Sequence, residues 1–291
     1  DFRRAMRKVD EEYGKDWWFK VWGPDALVDD GVGRSDDWII KGTGKTSKWH
    51  GFGKLADGFN MLDPIKATIV TPGLDLNGKF DNAGIPASIV TKFLAEHGVI
   101  VEKTGLYSFF IMFTIGITKG RWNSLLTALQ QFKDDYDRNQ PMWRILPEFC
   151  KKYKKYERMG LRDLCQHIHT LYAKYDIARL TTDMYLSDLT PAMKPSDAYA
   201  QIARRNTERV SVDALEGRIT TSLLTPYPPG IPLLVPGEVF NKKIVDYLKF
   251  SREFNLQCPG FETDIHGLVE EKGDDGVKRY FADCVRVAPK S

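Results

Sequence analysis

Glu102 stands in the run VIVEKTGLYS, at the end of an apolar, β-branched stretch, where a carboxylate is costly to desolvate unless a cation meets it. Such a residue pairs with the adjacent Lys103, lies on an exposed strand end, or recognises a cationic group on a bound molecule. Tyr227 is set in TPYPPGIPLLVPGE (225–238), whose prolines at 226, 228, 229 and 232 remove backbone donors and fix φ. The segment therefore runs as a stiff extended path, neither an ordinary helix nor a central strand. Held there, the Tyr227 ring has its direction fixed at little further entropic cost; a buried ring whose hydroxyl bonds to backbone is the plainer alternative. His50, in WHGF from 49 to 52, fits either a proton carrier or a structural imidazole. Asp264 and His266 share a face if the chain is extended, but one such pair, even with Glu262 nearby, falls short of a metal ligand set. GTGKTS at 42–47 has the ending of a phosphate-binding loop, yet Ile39 occupies the place of the required first glycine. A polar loop accounts for it better.

Composition bounds the answer. The 291 residues, 42% apolar and 28% charged, fall in the ordinary soluble globular class and leave room for two domains. A net charge of +3, with no basic stripe interleaved with aromatics, argues against nucleic acid as a partner. The densest basic run, KKYKKYER at 151–158, reads as a solvated helix face. Cys150, Cys165, Cys258 and Cys284 show neither close pairs nor metal spacing, which points to a reduced, cytoplasmic setting with buried thiols. No apolar run reaches the roughly 18 residues that span a bilayer, so no membrane partner is expected.

The elements that must position these residues follow from periodicity. Phe2, Met6, Val9 and Tyr13 recur at a helical period, predicting an amphipathic helix over 1–13 that stops at Gly14. WWFKVW (17–22) is extended and a Gly/Asp-rich loop occupies 23–47. Residues 65–71 predict a strand stopped by Pro72-Gly73, with a turn at Asn77-Gly78. Pro86 and Gly98 bracket a helix of about three turns. Strands are predicted over 99–103 and 106–114, the second apolar enough to be buried on both faces. A helix follows with Trp122, Leu125, Leu126, Leu129 and Phe132 on one side. This alternation predicts a two-layer α/β unit over about 15–138. Beyond Asn139-Gln140-Pro141 the pattern turns mostly helical, with one helix marked by Leu161, Leu164, Ile168, Leu171 and Tyr172 and another by Ile244, Val245, Leu248 and Phe254. A strand over 280–287 closes the chain.

Taken together, TPYPPGIPLLVPGE, PGFETDIHG (259–267), LDPIKATIVTPG (62–73), GIPASIVTKFLAEHGVIVEKTG (84–105) and GITKGRW (116–122) resemble the C-terminal portion of the bacterial Orn/Lys/Arg decarboxylases, in one register from about Trp17 to Val287. These are pyridoxal-phosphate (PLP) enzymes of fold type I. The resemblance implies an α/β fold. Residues 1–14 would be a helix continuing from a missing PLP-binding large domain, 15–140 an aspartate-aminotransferase-like small domain, and 141–291 an α+β C-terminal domain. It implies removal of the α-carboxylate of a basic amino acid, giving CO2 and a polyamine precursor, with the electron sink supplied by PLP. By the same resemblance Glu102 meets the substrate's distal cation and Tyr227 lies near the entrance, with Lys103, Thr104 and His50 as further lining residues. The family holds its cofactor through a lysine in a Ser-x-His-Lys motif. None of His50, His97, His167, His169 and His266 precedes a lysine, so the cofactor residues are expected outside this chain, which alone would be inactive. EKTGLYS (102–108) and the Trp-rich start resemble the lysine branch, whereas GRW (120–122) and FKVW (19–22) echo the arginine one. Family members form homodimers or larger homo-oligomers, so a non-catalytic assembly module is an alternative; an aminotransferase-like enzyme is another.

Overall fold

The computed structural model describes residues 1–23, 56, 58, 60–227 and 230–286. His50, GTGKTS and nearly all of the expected Gly/Asp-rich loop lie outside them. The chain divides into two compact units, Asp1–His169 and Thr170–Ser291, at a point inside one helix. The pattern change used to divide the sequence lies earlier, at 140/141.

The first unit opens with helix α1 (Phe2–Tyr13), which buries Phe2, Met6 and Val9 and ends at Gly14 with φ of 59°, a conformation glycine enters freely. Strands β1 (Lys20–Val21), β2 (Lys66–Val70), β3 (Lys103–Thr104) and β4 (Ser108–Met112) form an antiparallel sheet in the order β1-β2-β4-β3. Ala67 opposes Ile111 and Ile69 opposes Phe109, and these four side chains are buried on one face. Helices α2 (Ala87–Glu96) and α3 (Lys119–Asp137) bring Ile89, Val90, Phe93 and Leu94, and Leu125, Leu129 and Phe132, to the same core. The T-shaped contact of Phe93 with Phe132, ring centres 5.3 Å apart, joins the two helices.

Two expectations are corrected here. Residues 106–114 are not buried on both faces: Phe109 and Ile111 are buried while Ser108, Phe110 and Met112 are half-buried, the alternation of an antiparallel strand with one covered side. The strand expected over 99–103 narrows to Lys103–Thr104, because only that pair meets β4 in register.

Short helices α4 (Met142–Ile145) and α5 (Pro147–Lys152) follow, then α6 (Leu161–Lys174), which carries the apolar stripe read from the sequence. The second unit contains α7 (Ile177–Leu186), α8 (Pro195–Ala203), β5 (Thr207–Ser211), β6 (Thr225–Tyr227), α9 (Lys242–Gln257), β7 (Asp264–His266), β8 (Leu268–Lys272) and β9 (Lys278–Val285). Asn241 caps α9, its side-chain oxygen accepting the Ile244 N–H at 3.0 Å. β5, β9 and β8 make a three-stranded antiparallel sheet, and β6 pairs with β7. The mostly helical expectation missed β5, β7 and β8, whereas the strand expected over 280–287 is found as β9. TERVS and LVEEK carry charges where a sequence reader looks for apolar alternation, yet Arg209 bonds Asp283 at 3.0 Å and Glu271 at 2.6 Å, tying all three strands on an exposed face.

Candidate functional site

The hairpin β3–β4 presents Glu102, Lys103 and Thr104 at the sheet edge. Glu102 donates its backbone N–H to Phe110 O at 3.0 Å, just ahead of the ladder. Its side chain and that of Lys103 are exposed, so the reading of Glu102 as the end of a buried strand is corrected: it is an edge carboxylate free to meet a solute. Thr104 is half-buried and its Oγ1 donates to Thr91 Oγ1 on α2 at 3.3 Å, which ties the edge to the helix behind it.

The turn that closes the hairpin is held from three directions. Gly105 N–H donates to Ser108 O at 2.6 Å, Ala87 N–H at the start of α2 donates to Leu106 O at 2.9 Å, and Thr71 N–H donates to Tyr107 O at 2.9 Å. Buried Tyr107 and His169 then form a latch: the Tyr107 hydroxyl lies 2.6 Å from His169 Nδ1, and His169 Nε2 lies 2.9 Å from the Asp81 carbonyl. A carbonyl only accepts, so Nε2 carries the proton and Nδ1 accepts from the tyrosine. Gly84 makes this possible, because a Cβ there would lie 2.3 Å from His169 Nδ1. Nothing in the sequence pattern signals this latch; its partners are 62 residues apart and alone each looks like an ordinary core aromatic.

In the second unit the two proline- and glycine-marked segments meet as β6 and β7, with Thr225 opposite His266, Pro226 opposite Ile265 and Tyr227 opposite Asp264. Pro226 is tolerated because this two-stranded sheet has no central strand. Tyr227 is 47% exposed, so its ring is not the buried structural one. It rests against His266 with ring centres 4.5 Å apart, and His266 Nε2 lies 3.0 Å from Asp264 Oδ2. Asp264 and His266 thus engage each other, and among the described residues no group of three metal-ligating side chains occurs. Glu262 turns back to accept the Gly260 N–H at 2.7 Å. Glu102, Lys103 and Thr104 are therefore brought together, Tyr227 belongs to the other unit, and His50 lies outside the described residues.

The cysteines are buried and none is in a disulfide. Burial pushes the Cys165 and Cys284 thiols up, the latter to about 12, so neither is a nucleophile at neutral pH. Among the described residues no helix is long and apolar enough to cross a membrane.

Comparison with known proteins places this geometry. Residues 1–121 match the model of the Orn/Lys/Arg decarboxylase major domain, and residues 178–286 that of the Orn/Lys/Arg decarboxylase C-terminal domain. The chain therefore carries sequence matched by the major-domain model as well as by the C-terminal one. It is 43% identical to the lysine decarboxylase LdcA of Pseudomonas aeruginosa over 290 residues, covering 98% of this chain and 38% of that protein. The solved structure of lysine decarboxylase A from Pseudomonas aeruginosa superposes with a TM-score of 0.90 at 44% identity, over 98% of this chain and 38% of that one. The constitutive lysine decarboxylase of E. coli gives a TM-score of 0.86 at 35% identity, over 98% and 39%. The chain thus spans less than two-fifths of the length of these relatives. Two stretches of the chain, 1–121 and 178–286, thus match two domains of the Orn/Lys/Arg decarboxylase family.

Proposed function

We propose that these 291 residues serve a PLP-dependent decarboxylase of a basic amino acid, lysine before arginine or ornithine, working in the cytoplasm as a homodimer or larger homo-oligomer. The observation that carries the reading is the similarity to lysine decarboxylases over 98% of this chain. When bound, PLP supplies the electron sink for loss of the α-carboxylate. The chain's own residues do not fit the family's attachment pattern, since no histidine here precedes a lysine. The cofactor is therefore assigned to residues outside these 291, and the chain alone to an inactive state.

What the chain contributes is recognition. Glu102, carried on the sheet edge, accepts a charge-assisted hydrogen bond from the substrate's distal ammonium or guanidinium. Lys103 and Thr104 flank it, and the latch through Tyr107 holds the turn in place. Glu102→Gln in the full-length polypeptide removes the charge and keeps the shape. Loss of such a bond costs about 1.5–3 kcal/mol, so kcat/KM for the preferred substrate should fall about tenfold to a hundredfold while the PLP absorbance persists. Unchanged kcat/KM for lysine, arginine and ornithine would remove Glu102 from recognition. For the isolated chain, incubation with PLP followed by borohydride should label no single lysine stoichiometrically; one fully labelled lysine would put the cofactor inside it.

A further inference from the structure

A cavity of about 330 Å³ opens in the second unit between one face of α9 and the strands β7, β8 and β9. Its volume lies at the lower end of the range for small-molecule sites, about 300–1,000 Å³. The helix supplies Leu248, Ser251, Arg252 and Asn255, spaced so that all four share one face. Opposite them Leu268 and Glu270 on β8, and Lys278 and Tyr280 on β9, occupy alternate positions of their strands and so share a face of the sheet. Leu248, Ile265 and Leu268 provide apolar wall. The buried Ser251 and Asn255 provide polar atoms at depth, with Asn255 bonded to the Tyr280 hydroxyl at 3.4 Å. A cavity with an apolar stripe and a few convergent polar groups is built to hold a short amphiphile.

The charges decide its sign. Five charged side chains line the cavity, and both cations are already engaged. Arg252 Nη1 is held by Asp213 at 2.6 Å, a carboxylate outside the lining, and Lys278 Nζ by Glu270 at 2.9 Å. The hydrogen bond that Lys278 donates to Glu270 favours its ammonium form, with Glu262 adding a smaller attraction. Of the carboxylates, Asp264 pairs with the imidazole of His266, and Glu262 gives one oxygen to the Gly260 N–H and holds no ion pair among the described residues. The mouth therefore carries an excess of negative charge beside an apolar wall. An anion would meet two exposed carboxylates, and a neutral alcohol would leave them as they are in water. A cation tethered to a short hydrocarbon satisfies both features at once.

We propose that this cavity is a binding site for a small primary aliphatic ammonium, its chain along Leu248, Ile265 and Leu268 and its charged head at Glu262 and Asp264. None of the residues assigned to substrate recognition takes part. The ligand class is that of the amines released by decarboxylation of basic amino acids, but the site's test is separate from that activity.

The probe is n-pentylamine, titrated into the 291-residue chain by calorimetry at low salt, with 1-pentanol and pentanoate as matched controls. The expected result is saturable one-site binding of the amine only, weakened by added salt because the mouth is exposed to solvent. Glu262→Gln should weaken it about tenfold to a hundredfold, the loss of one charge-assisted bond. Glu102→Gln should leave it unchanged, which separates this site from the proposed substrate site. Glu262 is exposed, so its variant should unfold at the wild-type midpoint, and a lowered midpoint calls for the same titration with Ser251→Val. That substitution narrows the cavity without touching its charge, and it too should weaken the amine. Absence of saturable binding, equal binding of alcohol or pentanoate, or undiminished affinity in both Glu262→Gln and Ser251→Val would overturn the assignment.

Discussion

At the scale of single residues, the latch of Tyr107, His169 and the Asp81 carbonyl depends on a position with no side chain. Gly84→Ala should drive a methyl into the imidazole, costing about 1–3 kcal/mol by overpacking, read as a lower urea midpoint. A midpoint equal to wild type would show that the ring moves aside freely. The thiols make an independent check. Cys165 and Cys284 have their pKa values raised by burial, so the neutral form is favoured in the folded chain well above the ordinary thiol range. The thiolate is the reactive form, so raising the pH from 8 to 9 should leave both unalkylated by iodoacetamide in the native chain and speed their labelling only in denaturant. Fast native labelling of either would contradict their burial. Glu102 was legible in the sequence as an unusual carboxylate, and its exposure as one of several alternatives that the sequence left open. The apolar run before it suggested burial, whereas strand pairing starts only at Lys103.

Elements were legible where a single period governed them. α1, α2, α3, α6 and α9 follow their apolar stripes, and Gly14 and Gly98 close two of them because each adopts a positive φ. In the second unit β9 was legible, but β5, β7 and β8 were not, because their stability lies in cross-strand charge pairs and in pairing with segments far along the chain. The proline ribbon is instructive: its stiffness was readable, its partner was not. Gly267 sits between β7 and β8 with φ of +95°, and a Cβ there would lie 2.2 Å from the Leu223 carbonyl oxygen, so the return of the chain needs glycine. Gly267→Ala should destabilise the second unit by roughly 1–3 kcal/mol through backbone strain, seen as earlier loss of amide protection in Thr225–Tyr227 and Asp264–His266 during hydrogen exchange. Protection equal to wild type in both strands would show that the turn relaxes without cost.

For the whole molecule, the segment that the sequence pattern marks as a change of domain is well secured. Met142 N–H donates to Met159 O, Leu161 N–H to Gln140 O, and Met142, Ile145 and Leu146 are buried. Limited proteolysis should therefore spare 139–147 until late, since a cut needs exposed, unpaired backbone. Early cleavage there, by mass mapping, would show that this packing is absent in solution. The central claim concerns chemistry, and one measurement meets it most directly: release of CO2 from carboxyl-labelled lysine, arginine and ornithine by the full-length polypeptide carrying these residues, supplied with PLP. The account predicts release from lysine with the highest kcat/KM of the three. No release from any of them by folded, PLP-loaded protein would contradict it.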